Sequence, residues 1–417
     1  MSTRTRAGAP WLRTVPAVFL MAWGGNHFTP LLHLYEHLGG YAVWQANLLL
    51  GMYVAGLVPG LLLASALSDR HGRRPVLLAG MVLALFGSAL LAAGLPFFGL
   101  LCAGRALAGA GVGVAMSVGT SWMKELSAPP FDHRARATAG ARRPSLTLTL
   151  GFGVGAAVTG LLAQWGPAPA LTPYLVHAAL GTAALVVAAT APESLPRERR
   201  TAQAWWRDLR VPSAGHRRFT RLVLPAAPWV FAASGVAYAI MPAISQDRLG
   251  DWTTLYATAL TVLTLGAGAA VQNLVPWIDR RTGGRALVVG LSLMSAGMVL
   301  AVVAALLAHP VPALLVAVVL GAAYGICVVA GLLHVQAVAT PRDLAGLTGV
   351  YYSLAYTGFL LPTLLAVLLP VAPYTVSLSA VAAVCLVCLV AVAFGVRAVG
   401  RDAAPTGSPA REPAGRS

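Results

Sequence analysis

Charged residues are scarce in this sequence. Only 10% of its 417 residues are charged and 58% are hydrophobic, whereas soluble domains carry about 25% charged residues. A soluble protein of this size needs more charged residues on the surface around its hydrophobic core. The composition therefore excludes an ordinary soluble protein. Acidic residues are the scarcest, with 13 against 29 basic ones, and none lies deep in an apolar run.

Residues that form reactive sites are also few. The four cysteines all lie in apolar runs, and the pair with redox or zinc spacing has neither a histidine nor an acid beside it. One deep histidine and no deep acid cannot make a Ser-His-Asp set or a metal site. We therefore expect no enzyme activity, metal or bound cofactor, and interpret the cysteines as small hydrophobic side chains: Cys102, Cys327, Cys385 and Cys388.

Long apolar runs fill most of the chain. A helix needs about 20 apolar residues to cross a bilayer. By this measure the charge-free intervals hold one, one, two and two spans, and the same order recurs after a polar segment. The pattern predicts an all-α integral membrane protein with twelve transmembrane helices in two six-helix bundles. The predicted parts are an N-terminal bundle (1–192), a basic cytoplasmic linker (193–221), a C-terminal bundle (222–397) and a disordered cytoplasmic tail (398–417).

Two markers indicate an internal duplication. The segment from Asp69 to Arg74 has an echo from Asp279 to Arg285, 210 residues later. Pro242 follows Pro30 by 212 residues. We therefore expect two halves related by pseudo-symmetry.

The basic residues predict the orientation. With the N-terminus inside, 27 of the 29 Lys and Arg fall in inner segments, Arg248 lies outside and Arg105 lies within a span. Both termini are then cytoplasmic, in a cell membrane. Inner loops that face anionic lipid account for the net charge of +16 without nucleic acid.

The charged loop after the second span carries a family signature. Residues Ser65 to Leu77 read SALSDRHGRRPVL. This resembles the loop 2–3 motif of the major facilitator superfamily, G-x-L-x-D-R-x-G-R-[RK]-x-x-L, with serine in place of the first glycine. The resemblance implies a transporter in which this loop and its echo act as a gate on the inner side. The implied gating residues are Asp69, Arg70, Gly72, Arg73, Arg74, Asp279, Arg280 and Arg281.

Two weaker motifs extend the resemblance. The segment from Leu101 to Gly113 is similar to the fourth-helix motif, whose arginine the family associates with proton coupling; here it is Arg105. Glycines 151, 155 and 160 resemble the fifth-helix motif of antiporters. Ala156 replaces the hallmark proline of that motif, which weakens an assignment as an exporter.

Polar groups inside a membrane span are costly, so each is a candidate site. Arg105 lies about 10 Å into its span, where it serves either coupling or backbone hydrogen bonding. His27 lies near the middle of the first span, which two glycines and Pro30 loosen, and is either a proton carrier or a structural histidine. The resemblance also implies which spans line a central substrate cavity, and the candidate residues on those spans are Trp23, Asn26, Phe28, Asn47, Tyr53, Tyr238, Gln272, Asn273, Tyr324, Tyr351 and Tyr352.

These features favour a monomeric secondary transporter whose partners are the lipid bilayer and a small-molecule substrate. Efflux of an amphipathic compound, driven by a transmembrane proton gradient, is the first expectation. Import of a small metabolite is the alternative within the same class. A membrane-embedded sensor or scaffold without flux is the alternative of another class.

Overall fold

The computed structural model describes residues 9–136, 138–199, 211–340 and 344–402. The regular elements of these residues are all helices, and they form the twelve predicted spans in two groups of six. Residues 200–210 of the predicted linker, residues 403–417 of the predicted tail and Arg342 lie outside the described residues.

The first half contains spans 1 to 6. Span 1 is interrupted, with the helices Val15–Asn26 and Leu32–Gly39 on either side of a short 3-10 turn, Thr29–Leu31. Spans 2 to 6 are Val43–His71, Arg73–Ala93, Phe98–Leu126, Ala139–Trp165 and Thr172–Ala189.

The second half contains spans 7 to 12. A continuous apolar stretch of 54 residues, Phe219–Gln272, turns back at Gly250, so it holds both span 7 and span 8. Spans 7 to 12 comprise residues 219–249, Thr253–Gln272, Ala286–Leu307, Pro310–Val338, 344–368 and Tyr374–Asp402.

Successive spans run in opposite directions, so the molecule has two faces. We call the face with the loops after spans 2, 4 and 8 the basic face, because it carries the arginine-rich segments. The other is called the opposite face. The loop after span 2 turns at Gly72, whose φ of +104° favours a residue without a Cβ.

The break in span 1 follows from its sequence. Pro30 has no N–H to donate, so the i to i−4 hydrogen-bond pattern cannot continue through it. The backbone instead closes a tighter turn, in which the Leu31 amide donates to the Phe28 carbonyl at 2.9 Å. This break lies beside Asn26 and His27, as the sequence predicts.

Glycines hold one pair of helices together in each half, at equivalent places. In the first half a Cβ on Gly109 of span 4 would lie 2.0 Å from the carbonyl oxygen of Tyr53 in span 2. In the second half a Cβ on Gly321 of span 10 would lie 2.4 Å from the carbonyl oxygen of Thr264 in span 8. Gly321 follows Gly109 by 212 residues, the displacement that separates Pro30 from Pro242. The duplicated pattern therefore corresponds to a duplicated helix crossing.

We expect the substitution Gly109→Ala to destabilise the protein, because the new methyl group meets a backbone carbonyl that cannot rotate away. Overpacking of this kind costs about 1–3 kcal/mol, which in a chain of this length corresponds to a melting temperature lower by about 1–3 °C. Thermal unfolding in detergent measures it. Gly99→Ala in the same span is the control, since its Cβ would have nothing within 4 Å. Equal melting temperatures for the two variants would contradict the prediction.

Candidate functional site

A cavity of about 150 Å³ lies between the two halves. Spans 1, 2, 4 and 5 contribute from the first half, and spans 7, 8, 10 and 11 from the second. Its wall is aromatic, aliphatic and uncharged polar. The lining residues are Asn26, Tyr53, Met116, Ser145, Leu148, Thr149, Phe152, Phe231, Tyr238, Leu265, Gln272, Tyr324, Val328, Tyr352, Tyr356 and Phe359.

Aromatic rings form the densest part of this wall. Phe231 of span 7 stacks on Tyr356 of span 11, with ring centroids 4.0 Å apart and planes 15° apart. Phe359 lies 5.0 Å from Phe231, and Tyr53 of the first half lies 6.2 Å from Tyr356. The halves thus meet through rings, which offer flat faces to an aromatic ligand.

The cavity extends toward the basic face. Ser145, exposed near the start of span 5, and Gln272, at the end of span 8, both line it. Both residues lie at the basic-face ends of their helices. A route from the basic face to the cavity therefore runs between spans 5 and 8.

On the opposite face the same two spans are in contact. The Gln164 side chain of span 5 donates from Nε2 to the Asp251 carbonyl at 2.9 Å and accepts from the Leu255 amide at 3.1 Å. One turn deeper, a Cβ on Gly160 would lie 1.8 Å from Oγ1 of Thr258. We call this contact of spans 5 and 8 the seam. In this conformation spans 5 and 8 are in contact at the opposite face, whereas the cavity wall reaches the exposed Ser145 near the basic-face end of span 5.

Arg105 is 1% exposed and lies behind the cavity wall in the first half. Its Nε donates to the Leu49 carbonyl at 3.1 Å and its Nη1 to the Gly25 carbonyl at 3.4 Å. The rings of Phe28 and Tyr53 stand over the guanidinium carbon at 4.6 and 4.7 Å. Two carbonyls and two aromatic faces thus stabilise a buried cation and connect span 4 to spans 1 and 2.

His27 is fully buried, and neither of its ring nitrogens has a hydrogen-bond partner among the described residues. Its ring packs edge-on against Tyr174 at 4.8 Å and His177 at 5.0 Å. His177 is satisfied by the Leu20 carbonyl and the Ser88 hydroxyl. His27 therefore faces the interior of the first half rather than the cavity.

The loop after span 2 joins a network at the basic face. Arg73 pairs with Asp69 at 2.5 Å and with Glu125, at the end of span 4, at 3.1 Å. Glu193, after span 6, accepts from the amides of Arg73 and Arg74 at 3.0 Å each and so caps span 3. The network fastens spans 2, 3, 4 and 6 to one another. Arg70 is exposed in the same loop.

The loop after span 8 uses fewer contacts. Asp279 accepts from the Ala286 amide at 3.2 Å and so caps span 9. Arg281 stands 5.5 Å from the centre of the Trp277 ring, and Arg280 is exposed. The described partners of Asp69 and Asp279 each belong to the same half as the aspartate.

The predicted cavity residues fall into two groups. Asn26, Tyr53, Tyr238, Gln272, Tyr324 and Tyr352 line the cavity. The others lie elsewhere. Trp23 packs on Gly155, Phe28 stacks on Tyr35, Asn47 donates to the Val43 carbonyl, Asn273 is exposed after span 8, and Tyr351 donates to the carbonyls of Cys327 and Val328.

Sequence reasoning missed four aromatic residues of the wall, Phe152, Phe231, Tyr356 and Phe359. A signal for two of them exists. Tyr352, Tyr356 and Phe359 follow the i, i+4, i+7 spacing of one helix face. That face is the one that span 11 turns toward the cavity.

Comparison with known proteins gives one family and several structural neighbours. The profile of the Major Facilitator Superfamily matches residues 14–362. A crystal structure of the nucleoside transporter NupG superposes with a TM-score of 0.72 at 13% identity, over 93% of this chain and 99% of that one. A POT family transporter in complex with 5-aminolevulinic acid gives 0.72 at 12%, over 94% and 96%. The xylose transporter XylE from E. coli gives 0.65 at 17%, over 96% and 99%. No curated protein sequence matches the chain.

Proposed function

The chain belongs to the major facilitator superfamily, and on this premise we propose that it exports a small amphipathic compound by alternating access, in exchange for protons. In this proposal the protein is a monomer of the drug:proton antiporter group in the cell membrane. Both termini and the basic face are cytoplasmic, as the distribution of arginine favours.

One observation supports the proposal: the cavity wall reaches the basic-face ends of spans 5 and 8, while the seam joins the same two spans at the opposite face. We infer from this that the cavity is open toward the basic face and closed toward the opposite one. The seam consists of two hydrogen bonds from Gln164 and the tight contact of Gly160 with Thr258. Few bonds need to break to part it. Rocking of the two halves would then open the opposite face and close the basic one.

The cavity wall supports an amphipathic substrate without net positive charge. None of the 16 described lining residues is Asp or Glu, and the nearest buried charge is the cation of Arg105, behind the ring of Tyr53. A cationic substrate would meet no compensating carboxylate in this wall. A flat, uncharged aromatic compound would stack on Phe231, Tyr356 and Phe359.

Proton-driven flux into proteoliposomes tests this function. Neutral aromatic compounds are first screened by thermal shift, and the compound that stabilises the protein most is then followed in transport. Uptake driven by an acidic lumen supports antiport, because protons leave as the compound enters. Binding without flux under either gradient would instead support a sensor or scaffold.

Import of a metabolite is the second candidate, since the neighbours that share the fold include transporters of nucleosides and xylose. The same experiment separates the two directions of coupling. Uptake driven by an alkaline lumen would support symport and contradict the proposal.

The gating role of the two loops leads to a prediction for Asp69. In the present conformation its side chain is 45% exposed, which leaves room for a second partner when the basic face closes. We expect Asp69→Asn to weaken that closure, shift the population toward the state open to the basic face and abolish net flux without reducing expression. Transport in proteoliposomes measures it, with the exposed Glu198→Gln as control. Full transport by Asp69→Asn would contradict the gating role.

The proposed orientation has its own test. Tags at the two ends of the chain should both be accessible from the cytoplasm only. Tags found on different sides of the membrane would contradict the twelve-span arrangement.

A further inference from the structure

A second cavity, of about 560 Å³, lies at the opposite face beside the seam. We call it the vestibule. Both halves form its wall, and its size falls in the range of small-molecule sites, about 300–1,000 Å³. Its lining residues are His33, Leu34, His37, Ala163, Gln164, Gln246, Asp247, Gly250, Asp251, Thr253 and Thr254.

The negative charge of the opposite face is concentrated here. Its segments contain three acidic residues in the sequence, Glu36, Asp247 and Asp251. Asp247 and Asp251 line the vestibule, and Glu36 lies between His33 and His37 on the same helix. Arg248 lies between the two aspartates and offsets one charge, so the three acids leave these segments with a net charge of −2.

A buried, unsatisfied side chain points to a ligand in the same place. His33 is 3% exposed and lines the vestibule, yet its Nε2 has no hydrogen-bond partner among the described residues. Its Nδ1 lies 3.6 Å from the Glu36 carboxylate, beyond ordinary hydrogen-bond length. The Oε1 of Gln246 is also buried without a partner. Buried polar atoms are nearly always bonded, so both side chains have an unmet hydrogen-bonding capacity, which a rotation toward the vestibule would bring to an occupant.

We propose that the vestibule binds a small organic cation that carries N–H donors, such as a protonated amine. The exposed carboxylates of Asp247 and Asp251 offer acceptors, and the unpaired Nε2 of His33 and Oε1 of Gln246 add two candidates when their side chains turn toward the vestibule. Charge-assisted N–H···O bonds to carboxylates are the strongest this wall can form. A metal ion is a poorer match, because the described residues contain no group of three or more His, Cys, Asp and Glu arranged for one.

This site is separate from the central cavity and has the opposite charge preference. The seam lies between them, since Gln164 both lines the vestibule and holds the seam closed. The proposal therefore does not depend on which compound is transported, or on whether transport is coupled to protons.

Calorimetric titration of the full-length protein with putrescine (1,4-diaminobutane) tests the proposal. The protein is held in nanodiscs at constant ionic strength, and two monocations are titrated in parallel: methylammonium, which has N–H donors, and tetramethylammonium, which has the same charge but none. We expect putrescine to bind to the native protein and tetramethylammonium to bind at least 10-fold more weakly than methylammonium. We expect a loss of at least 10-fold in putrescine affinity for the double variant Asp247→Asn with Asp251→Asn, and also for His33→Gln.

Glu198→Gln removes an exposed carboxylate from the basic face and should leave the affinity unchanged. Three results would overturn the proposal: no heat of binding from putrescine, equal affinity in the double variant, or equal binding of tetramethylammonium and methylammonium. The last would indicate only a diffuse acidic surface. The substituted carboxylates are exposed, and size-exclusion chromatography verifies that each variant is folded.

Discussion

Transport by the variant Gly160→Leu is expected to fall to background. A Cβ at residue 160 would lie 1.8 Å from Oγ1, 2.5 Å from Cγ2 and 2.7 Å from Cβ of Thr258. The last of these atoms is fixed to the helix backbone, so span 8 itself has to move away. A penalty of about 3 kcal/mol on the closed seam shifts the population ratio by about 100-fold toward the state open to the opposite face.

Labelling of a cysteine reporter distinguishes this shift in conformation from a folding defect. Ser145→Cys places a thiol in the cavity wall at the basic face, where a maleimide added on that side reaches it in the present conformation. With Gly160→Leu added, we expect labelling from the basic face to fall together with transport. The matched control is Gly153→Leu in the same span, where a Cβ would have nothing within 4 Å.

A double substitution tests the contact itself. Thr258→Gly removes all three atoms that a methyl group at residue 160 would meet. Gly160→Ala already places a methyl group in this contact and should also lose transport, and we expect Thr258→Gly to restore it. Strong labelling and full transport by Gly160→Leu would show that closure of the seam is not required.

The second large effect is expected at Arg105. Replacement by lysine keeps the charge, but the ammonium cannot bond both carbonyls in the geometry of the guanidinium while it lies between two rings. Hydrogen bonds from a charged group contribute about 1.5–3 kcal/mol each. Loss of one of the two bonds corresponds to a decrease of about 10- to 150-fold in gradient-driven transport.

The kind of transport that survives separates coupling from structure. If Arg105 serves proton coupling, Arg105→Lys loses accumulation under a proton gradient but retains exchange of labelled for unlabelled compound. If its role is only to hold spans 1, 2 and 4 together, both activities fall and the melting temperature falls with them. Cys102→Ala in the same span is the control, since this thiol is only partly buried.

The sequence predicts the number and order of the spans because the length of an apolar run is a local property. The same reasoning locates the break at Pro30 and the turn at Gly72, where single residues restrict the backbone. Among the cavity residues it selects polar groups within apolar runs. Asn26, Tyr53, Tyr238, Gln272, Tyr324 and Tyr352 were found in this way.

The remaining features depend on distances that local patterns do not contain. Arg73 meets Glu125 and Glu193 across 52 and 120 residues of chain. Phe152 and Phe231 look like ordinary lipid-facing or core residues, because nothing in their helices marks which face meets the other half. For the same reason the sequence does not show that Tyr351 points into the core and Tyr352 into the cavity. Adjacent residues lie on different faces of a helix, and the pattern does not say which face is which.

The two hydrogen bonds of the Gln164 side chain have an evolutionary consequence. Both of its partners are main-chain atoms, a carbonyl at residue 251 and an amide at residue 255. Substitutions at these two sites would thus leave the bonds in place, and coupled variation between them and residue 164 has no physical reason to arise. Contact prediction from coupled variation among homologues would therefore miss this part of the seam. A screen for second-site revertants of Gln164→Leu should likewise recover none at residues 251 or 255.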